Sequence, residues 1–287
     1  MKIHRVSYHG GHSKQYCAHA KNTLEEIIEK YISLGFKAVG ISEHVPPVRN
    51  ELLYPDEIEL NLTVQSIYER FENYIAHLRQ LKTQYASQIN IFIGMETEAC
   101  SGYLTHMKNL VRKFEPDYIV GSVHHINDIC FDFSKKEYDR AARECGSYDA
   151  LYESYFDLQY EMLLALKPFL VGHFDLIRIF DSNYETRITT PDIWKKILRN
   201  LKFIKSMNMA LDFNLRPLKN GGKEPYVMSE ILKCARKFGI SAVPGDDSHG
   251  MDEAGMFVDK AIDILDAYGF NLNWPEPRLL SKYEREA

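Results

Sequence analysis

The 287-residue chain is 45% hydrophobic and 26% charged, ordinary globular usage with ample material for a buried core. Its net charge of −5 gives no electrostatic pull toward nucleic acid or an anionic membrane, which sets both aside as main partners. Five scattered cysteines without a C-x-x-C, no apolar leader and no run near the ~18 residues of a membrane span describe reduced thiols in a cytoplasmic protein.

Along the chain, short β-prone runs alternate with helical patterns. A first strand over 2–8 leads to "NTLEEIIEKYISLGF", a helix with Asn22 or Thr23 as N-cap, glutamates in its first turn and Gly35 at its stop. Strands then read over 38–42, 89–95, 118–123, 169–172, 210–213 and 241–244. Helices read over 63–85, 104–114, 148–166, 191–207, 226–238 and 253–268, with Pro191 in a first turn that tolerates proline. Seven alternations predict an α/β fold, a seven-stranded parallel TIM-like (β/α)7 barrel forming one domain over 1–287, with a peripheral tail from about 275 to 287. An open doubly wound sheet is the alternative, but no G-x-G-x-x-G follows the first strand.

Nearly every predicted strand runs into potential metal ligands. In order these are His9 and His12; Glu43 and His44; Glu96 and Glu98; His124 and His125; His173 and Asp175; Asp212 and Asn214; and Asp246, Asp247 and His249. In a parallel barrel all strand C-termini open onto one face. Gathering so many ionisable groups there without a cation is costly in desolvation and repulsion, and imidazole with carboxylate suits zinc, iron or manganese. His125 should point away from its neighbour His124, and His4, His77 and His106 lack the strand-end context. Period two puts Glu98 on the face of Glu96, where it can meet substrate or support the ligands, and turns Asp246 away from the face of Asp247 and His249.

The stretches "HSKQYCAHA", "NTLEEIIEKYISLGFKAVGISEHVP", "GMETE", "DYIVGSVHHI", "VGHFDLIRIF", "LDFN" and "GDDSH" together resemble the polymerase-and-histidinol-phosphatase (PHP) superfamily, and within it the histidinol-phosphate phosphatases. The resemblance implies a distorted seven-stranded barrel with a trinuclear metal centre at the strand C-termini. Carried over by motif, the ligands are His12, His19, His44, Glu96, His124, His173, Asp247 and His249. Glu96 would bridge two cations, one served by His12 and Asp247 and the other by His124 and His173, while His19, His44 and His249 hold a third. The chain departs from the family's H-x-H opening: Gly10 stands where the first histidine belongs, and His9 comes one place earlier. Either Gly10 and Gly11 form a bulge that returns His9 to the metal, or they make a plain turn and water replaces that ligand.

Two or three divalent ions (Zn, Fe or Mn) clustered in this way suit phosphate-ester hydrolysis, in which a metal-bridging hydroxide attacks phosphorus in line. Glu96, Asp247 and His249 are the catalytic candidates, with Asp247 orienting the nucleophile and His249 a source of the leaving group's proton. Arg178, Arg216 and Lys219 lie in strand–helix loops suited to a phosphate dianion, and Asn214 and Asp132 are candidates for contacts to the organic part. The resemblance implies hydrolysis of L-histidinol phosphate to L-histidinol and phosphate, in histidine biosynthesis. The alternatives are another small phosphate ester, a nucleic-acid phosphodiester, or a non-catalytic metal-binding protein with a degenerate first motif.

Overall fold

Residues 3–280 are described in the structure, a computed structural model. Its strands are β1 (Val6–Ser7), β2 (Ala38–Ile41), β3 (Asn90–Glu96), β4 (Tyr118–Gly121), β5 (His125–Ile126), β6 (Ile129–Cys130), β7 (Leu170–Val171), β8 (Ala210–Asn214) and β9 (Ser241–Gly245). Seven of them form one parallel sheet in the order β1-β2-β3-β4-β7-β8-β9, and β5 and β6 make a separate antiparallel hairpin. The register pairs Val6 with Ala38, Val39 with Ile91, Met95 with Ile119, Val120 with Leu170, and Leu211 with Ala242. The two edges also meet: Tyr8 N–H donates to Pro244 O at 3.3 Å and Asp247 N–H to His9 O at 2.9 Å. These bonds curl the sheet into the nearly closed barrel that the alternation predicted, and they bring the first and last strand ends together.

The larger helices are α1 (Leu24–Ser33), α2 (Pro55–Glu59), α3 (Val64–Gln84), α4 (Tyr103–Phe114), α5 (Lys135–Cys145), α6 (Tyr148–Leu166), α7 (Tyr184–Ile188), α8 (Pro191–Ser206), α9 (Arg216–Lys219), α10 (Ser229–Phe238) and α11 (Val258–Ala267). Thr23, not Asn22, caps α1: its hydroxyl accepts from Glu26 N–H while the Glu26 carboxylate accepts from Thr23 N–H. In α3 the buried face is Ile67, Phe71, Tyr74, Ile75, Leu78 and Leu81, the three- and four-residue spacing of a helix packed on a sheet. Inside the barrel, Tyr118 donates to Tyr8 O at 2.8 Å. A Cβ on Gly40 would lie 2.1 Å from the Tyr118 hydroxyl and one on Gly94 2.7 Å from its ring, so the neighbouring strands admit this phenol only as glycines.

Several boundaries differ from expectation for local reasons. Helix α10 begins at Ser229 rather than 226 because Asn214 N–H donates to Tyr226 O at 2.6 Å, holding that segment against β8. Helix α11 begins at Val258 rather than 253, since Gly255 and Phe257 take positive φ values of 76° and 60°. Helix α5 was not expected: it is rich in charge and buries only Tyr138, Ala141 and Ala142, but Ser134 caps it. Within the expected tail Leu279 and Leu280 pack on the core, and residues 281–287 lie outside the described residues. No described helix is long and apolar enough to cross a membrane.

Candidate metal centre

The site is built where the strands end. Glu96, the last residue of β3, is buried at the middle of it. Around its Oε1 lie three imidazole nitrogens: His9 Nε2 at 3.1 Å, His173 Nε2 at 3.2 Å and His124 Nε2 at 3.4 Å. His124 Nε2 and His173 Nε2 are themselves 3.2 Å apart. On the side of Oε2 stand His44 Nδ1 at 3.6 Å and His12 Nε2 at 3.9 Å, and His12 Nε2 is 3.6 Å from Asp247 Oδ1. A second group is stacked above: the His12 ring lies 4.8 Å from His44 and 4.3 Å from His249, and His249 lies 4.6 Å from His19. Arg178, Arg216, Tyr226, Tyr184, Asp132 and Asp181 share with His19, His44, His124, His173 and His249 the wall of a cavity of about 890 Å³.

The Gly10–Gly11 pair explains how His9 reaches Glu96. Their φ values are +136° and +78°, backbone that a side-chain-bearing residue rarely adopts. A Cβ at Gly10 would meet Asp246 Oδ1 at 2.6 Å and Ser248 N at 2.8 Å. The chain therefore turns tightly against the loop after β9, and His9 and His12, three residues apart, both project toward Glu96.

Behind the imidazoles stands a layer of carboxylates. Asp212 Oδ2 is 2.6 Å from His9 Nδ1, Glu43 Oε2 is 3.1 Å from His12 Nδ1, and Glu98 Oε1 is 2.7 Å from His44 Nδ1. Glu98 Oε2 accepts from the Tyr54 hydroxyl at 2.7 Å and lies 3.2 Å from His124 Nδ1. At the rim, Asp56 Oδ2 is 3.0 Å from Nδ1 of His19, whose side chain is 42% exposed. A carboxylate on Nδ1 fixes the tautomer and leaves Nε2 with its lone pair for a cation. Sequence patterning singled out Glu98 for such a role, but it assigned none to Glu43, Asp212 or Asp56. For the first two the strand-end position was the available signal; Asp56, in a loop helix, carried none.

The electrostatics follow from the crowding. Burial opposes charge on Glu96 and Asp247, yet His9 and the other cationic neighbours outweigh it and hold both carboxyls well below the usual range. Burial alone would keep His9 and His124 neutral, but the carboxylates hold both imidazolium pKa values well above the ordinary value. His249 goes the other way: burial, then the charges of His12 and Arg216, push it well down. A neutral imidazole suits the ligand role expected of His249.

Whether cations fit can be read from the polar atoms. His9 Nε2, His12 Nε2 and Glu96 Oε2 are all buried without a hydrogen-bond partner, a costly state for groups of this kind. Ligands held about 2.1 Å from one ion sit roughly 3.0–3.4 Å from each other, close to the spacings around Glu96 Oε1. One donor atom from each of His12, His44 and His249 also falls within a span of 4.8 Å, as does one from each of His9, His12 and Glu96. The residues fit divalent ions.

Not every expected site residue faces the cavity. Asn214 is fully buried and does not line the cavity, its amide donating to Asp212 at 3.0 Å and Asp247 at 3.2 Å, so it braces carboxylates. Lys219 is bonded to Glu253 and does not line the cavity. Arg178 lines it, though Nε is committed to Asp175 at 2.8 Å and Nη2 to Pro225 O at 2.5 Å. His125 is buried with Nδ1 on Glu98 O at 3.2 Å, His77 bonds Glu25 and Tyr16, and His106 bonds Pro46 O. Asp246 is turned away as expected, toward Tyr31, Ser7 and Gly255 N–H.

The sequence matches the PHP domain family over residues 9–216. A Schizosaccharomyces pombe protein described as a probable histidinol-phosphatase is 35% identical over 92% of this chain and 87% of its own length. The histidinol-phosphatase of Saccharomyces cerevisiae is 30% identical over 90% of this chain and 88% of its own. Among solved structures, histidinol phosphate phosphatase of Lactococcus lactis, crystallised with zinc, L-histidinol and phosphate, superposes with a TM-score of 0.70 at 18% identity, covering 94% of this chain and 95% of that one.

Proposed function

This chain belongs to the PHP domain family, among its histidinol-phosphatases, and from that premise we propose that it hydrolyses L-histidinol phosphate to L-histidinol and inorganic phosphate with divalent metal ions. The observation that carries the reading is the trio of buried, unpartnered donor atoms on His9, His12 and Glu96, of which Glu96 also lines a cavity large enough for a small phosphate ester. His9, His124, His173 and Glu96 would hold one ion, His12, Asp247 and Glu96 a second, and His19, His44 and His249 a third. Zinc, iron and manganese all suit this mixture of imidazole and carboxylate. Such ions supply positive charge against the phosphoryl oxygens and a water acidic enough to attack phosphorus near neutral pH.

The chain's own residues do the remainder. Glu43, Asp212 and Glu98 hold the imidazoles in one tautomer and orientation, so the ligand set is assembled before substrate arrives. Arg216 borders the ester's phosphoryl end: its Nη1 donates to Asp247 O at 2.6 Å, which leaves the rest of the guanidinium fork for phosphate oxygens. On the same cavity wall Asp132 offers a carboxylate to a cationic substrate group, whereas Asp181 is paired with Arg187 and the rings of Tyr184 and Tyr226 are stacked on Arg178. The test is phosphate release from L-histidinol phosphate by the purified protein, abolished by a chelator and restored by Zn²⁺, Mn²⁺ or Fe²⁺. Glu96→Gln should lower kcat about 10²–10³-fold. No release with any of the three metals would overturn the proposal.

A further inference from the structure

We propose that Lys223 is a substrate-binding residue, an ammonium on the cavity wall that meets the phosphate of the ester. The proposal rests on the phosphatase reading above and deepens it. It gives the role expected of Lys219 to a lysine further along the same loop.

Among the described residues the cavity wall carries three cationic side chains besides its imidazoles: Arg178, Arg216 and Lys223. An entering dianion needs positive charge that is not already spent. Arg178 has Nε on Asp175 and Nη2 on Pro225 O and Glu224 O, and its Cζ lies 5.0 Å from the ring centre of Tyr184 and 4.6 Å from that of Tyr226. Arg216 commits Nη1 to Asp247 O and His249. Lys219 is bonded to Glu253, off the wall. Lys223 is exposed and makes no hydrogen bond or ion pair among the described residues. The acid next to it in sequence does not neutralise it, because the Glu224 carboxylate accepts from the Tyr184 hydroxyl at 3.1 Å and from Ser229 N–H at 2.9 Å.

The backbone under Lys223 is pinned on both sides. Before it, Gly222 N–H donates to Pro217 O at 2.8 Å, and a Cβ on Gly222 would lie 2.8 Å from that oxygen, so the chain folds back on α9 where no side chain fits. After it, Glu224 is held by Ser229, and Tyr226 O accepts Asn214 N–H at 2.6 Å. Pro217, Asn220, Gly221 and Gly222 line the cavity along with Lys223. The residue therefore stands on a fixed stretch of wall, while its flexible four-carbon stem lets the ammonium follow the phosphate.

An exposed ammonium meets the phosphoryl oxygens of the bound ester and of the transition state alike. Its contribution belongs in KM, not kcat, and weakens as salt screens it.

In the metal-loaded protein, Lys223→Ala should weaken inhibition by inorganic phosphate and raise KM about 5–10-fold, between the effect of an exposed ion pair and that of a buried charged hydrogen bond. Metal content should be unchanged and kcat should stay within about twofold. Lys223→Arg should keep most of the affinity and Lys223→Glu should lose more than Lys223→Ala. The KM of the wild type should also rise more steeply with ionic strength than that of Lys223→Ala. Unchanged KM and phosphate inhibition in both Lys223→Ala and Lys223→Glu overturn the proposal. So does a loss that appears in Lys219→Ala and not in Lys223→Ala. Calorimetry of inorganic phosphate binding to the zinc-loaded protein needs no turnover. A protein that binds phosphate through Lys223 but hydrolyses no L-histidinol phosphate sinks only the activity, and one that hydrolyses it with indifference to Lys223 sinks only this assignment.

Discussion

Asp212 Oδ2 lies 2.6 Å from His9 Nδ1, with both side chains fully buried. The same oxygen accepts the backbone N–H of His173 at 3.1 Å and the amide of Asn214 at 3.0 Å. One carboxylate therefore sets the tautomer of one imidazole and the backbone position of another, both of which crowd Glu96. Asp212→Asn keeps the shape but removes the charge, and its single amide oxygen cannot serve three donors. Metal affinity should fall about 10–100-fold, with activity recovered at high metal concentration. Competition against a chromophoric chelator measures this; an unchanged affinity would remove Asp212 from the support of the site.

Gly10→Ala tests the turn that redirects His9. The new methyl would need a φ of +136° and would press on Asp246 and the backbone of Ser248. Strain of this kind costs about 1–3 kcal/mol, and relieving it moves His9 away from Glu96. The variant should melt at lower denaturant and hold fewer metal ions per chain by elemental analysis. Full metal content together with wild-type stability would show that the His9 backbone does not depend on this glycine.

The strand-end pattern made the barrel and the convergence of His12, His44, Glu96, His124, His173, Asp247 and His249 legible, because parallel strands deliver their C-termini to one mouth whatever the loops do. The path of His9 was not legible. Two glycines permit many turns, and the one adopted is chosen by Asp246 and Ser248, more than two hundred residues away. The bracing position of Asn214 was not legible for a related reason: a polar residue at a strand end can face the cavity or brace what does, and the partners Asp212 and Asp247 decide which.

Metal uptake should release protons. Burial works against the His12 imidazolium, but Asp247 and Glu43 outweigh it and push its pKa up to about 9. His12 is thus charged at pH 7 in the metal-free chain, and an ion must displace that proton to reach the lone pair. Apparent affinity should rise with pH up to about 9, and calorimetry in two buffers of different ionisation enthalpy should reveal the release. Stability of the metal-free chain should run the opposite way. A pKa raised from ~6.5 contributes stability that is complete below that pH and lost as pH climbs through the folded value. Buffer-independent binding heats would contradict this account.

Arg216 separates phosphate recognition from support of the ligands. Its hydrogen bonds to Asp247 O and His249 run through Nη1, while the side chain borders the cavity, so the remaining donors can meet an oxyanion. Hydrogen bonds to charged groups contribute about 1.5–3 kcal/mol, so Arg216→Ala should weaken inhibition by inorganic phosphate roughly 10–100-fold. Arg216→Lys should recover only part of that, because an ammonium keeps the charge but lacks the planar fork. If the guanidinium instead acts through Asp247 and His249, Arg216→Ala will shed metal while the fully reloaded protein binds phosphate as before. Phosphate inhibition measured alongside metal content tells the two apart, and retained phosphate affinity in the reloaded variant rules out Arg216 as the anion's partner.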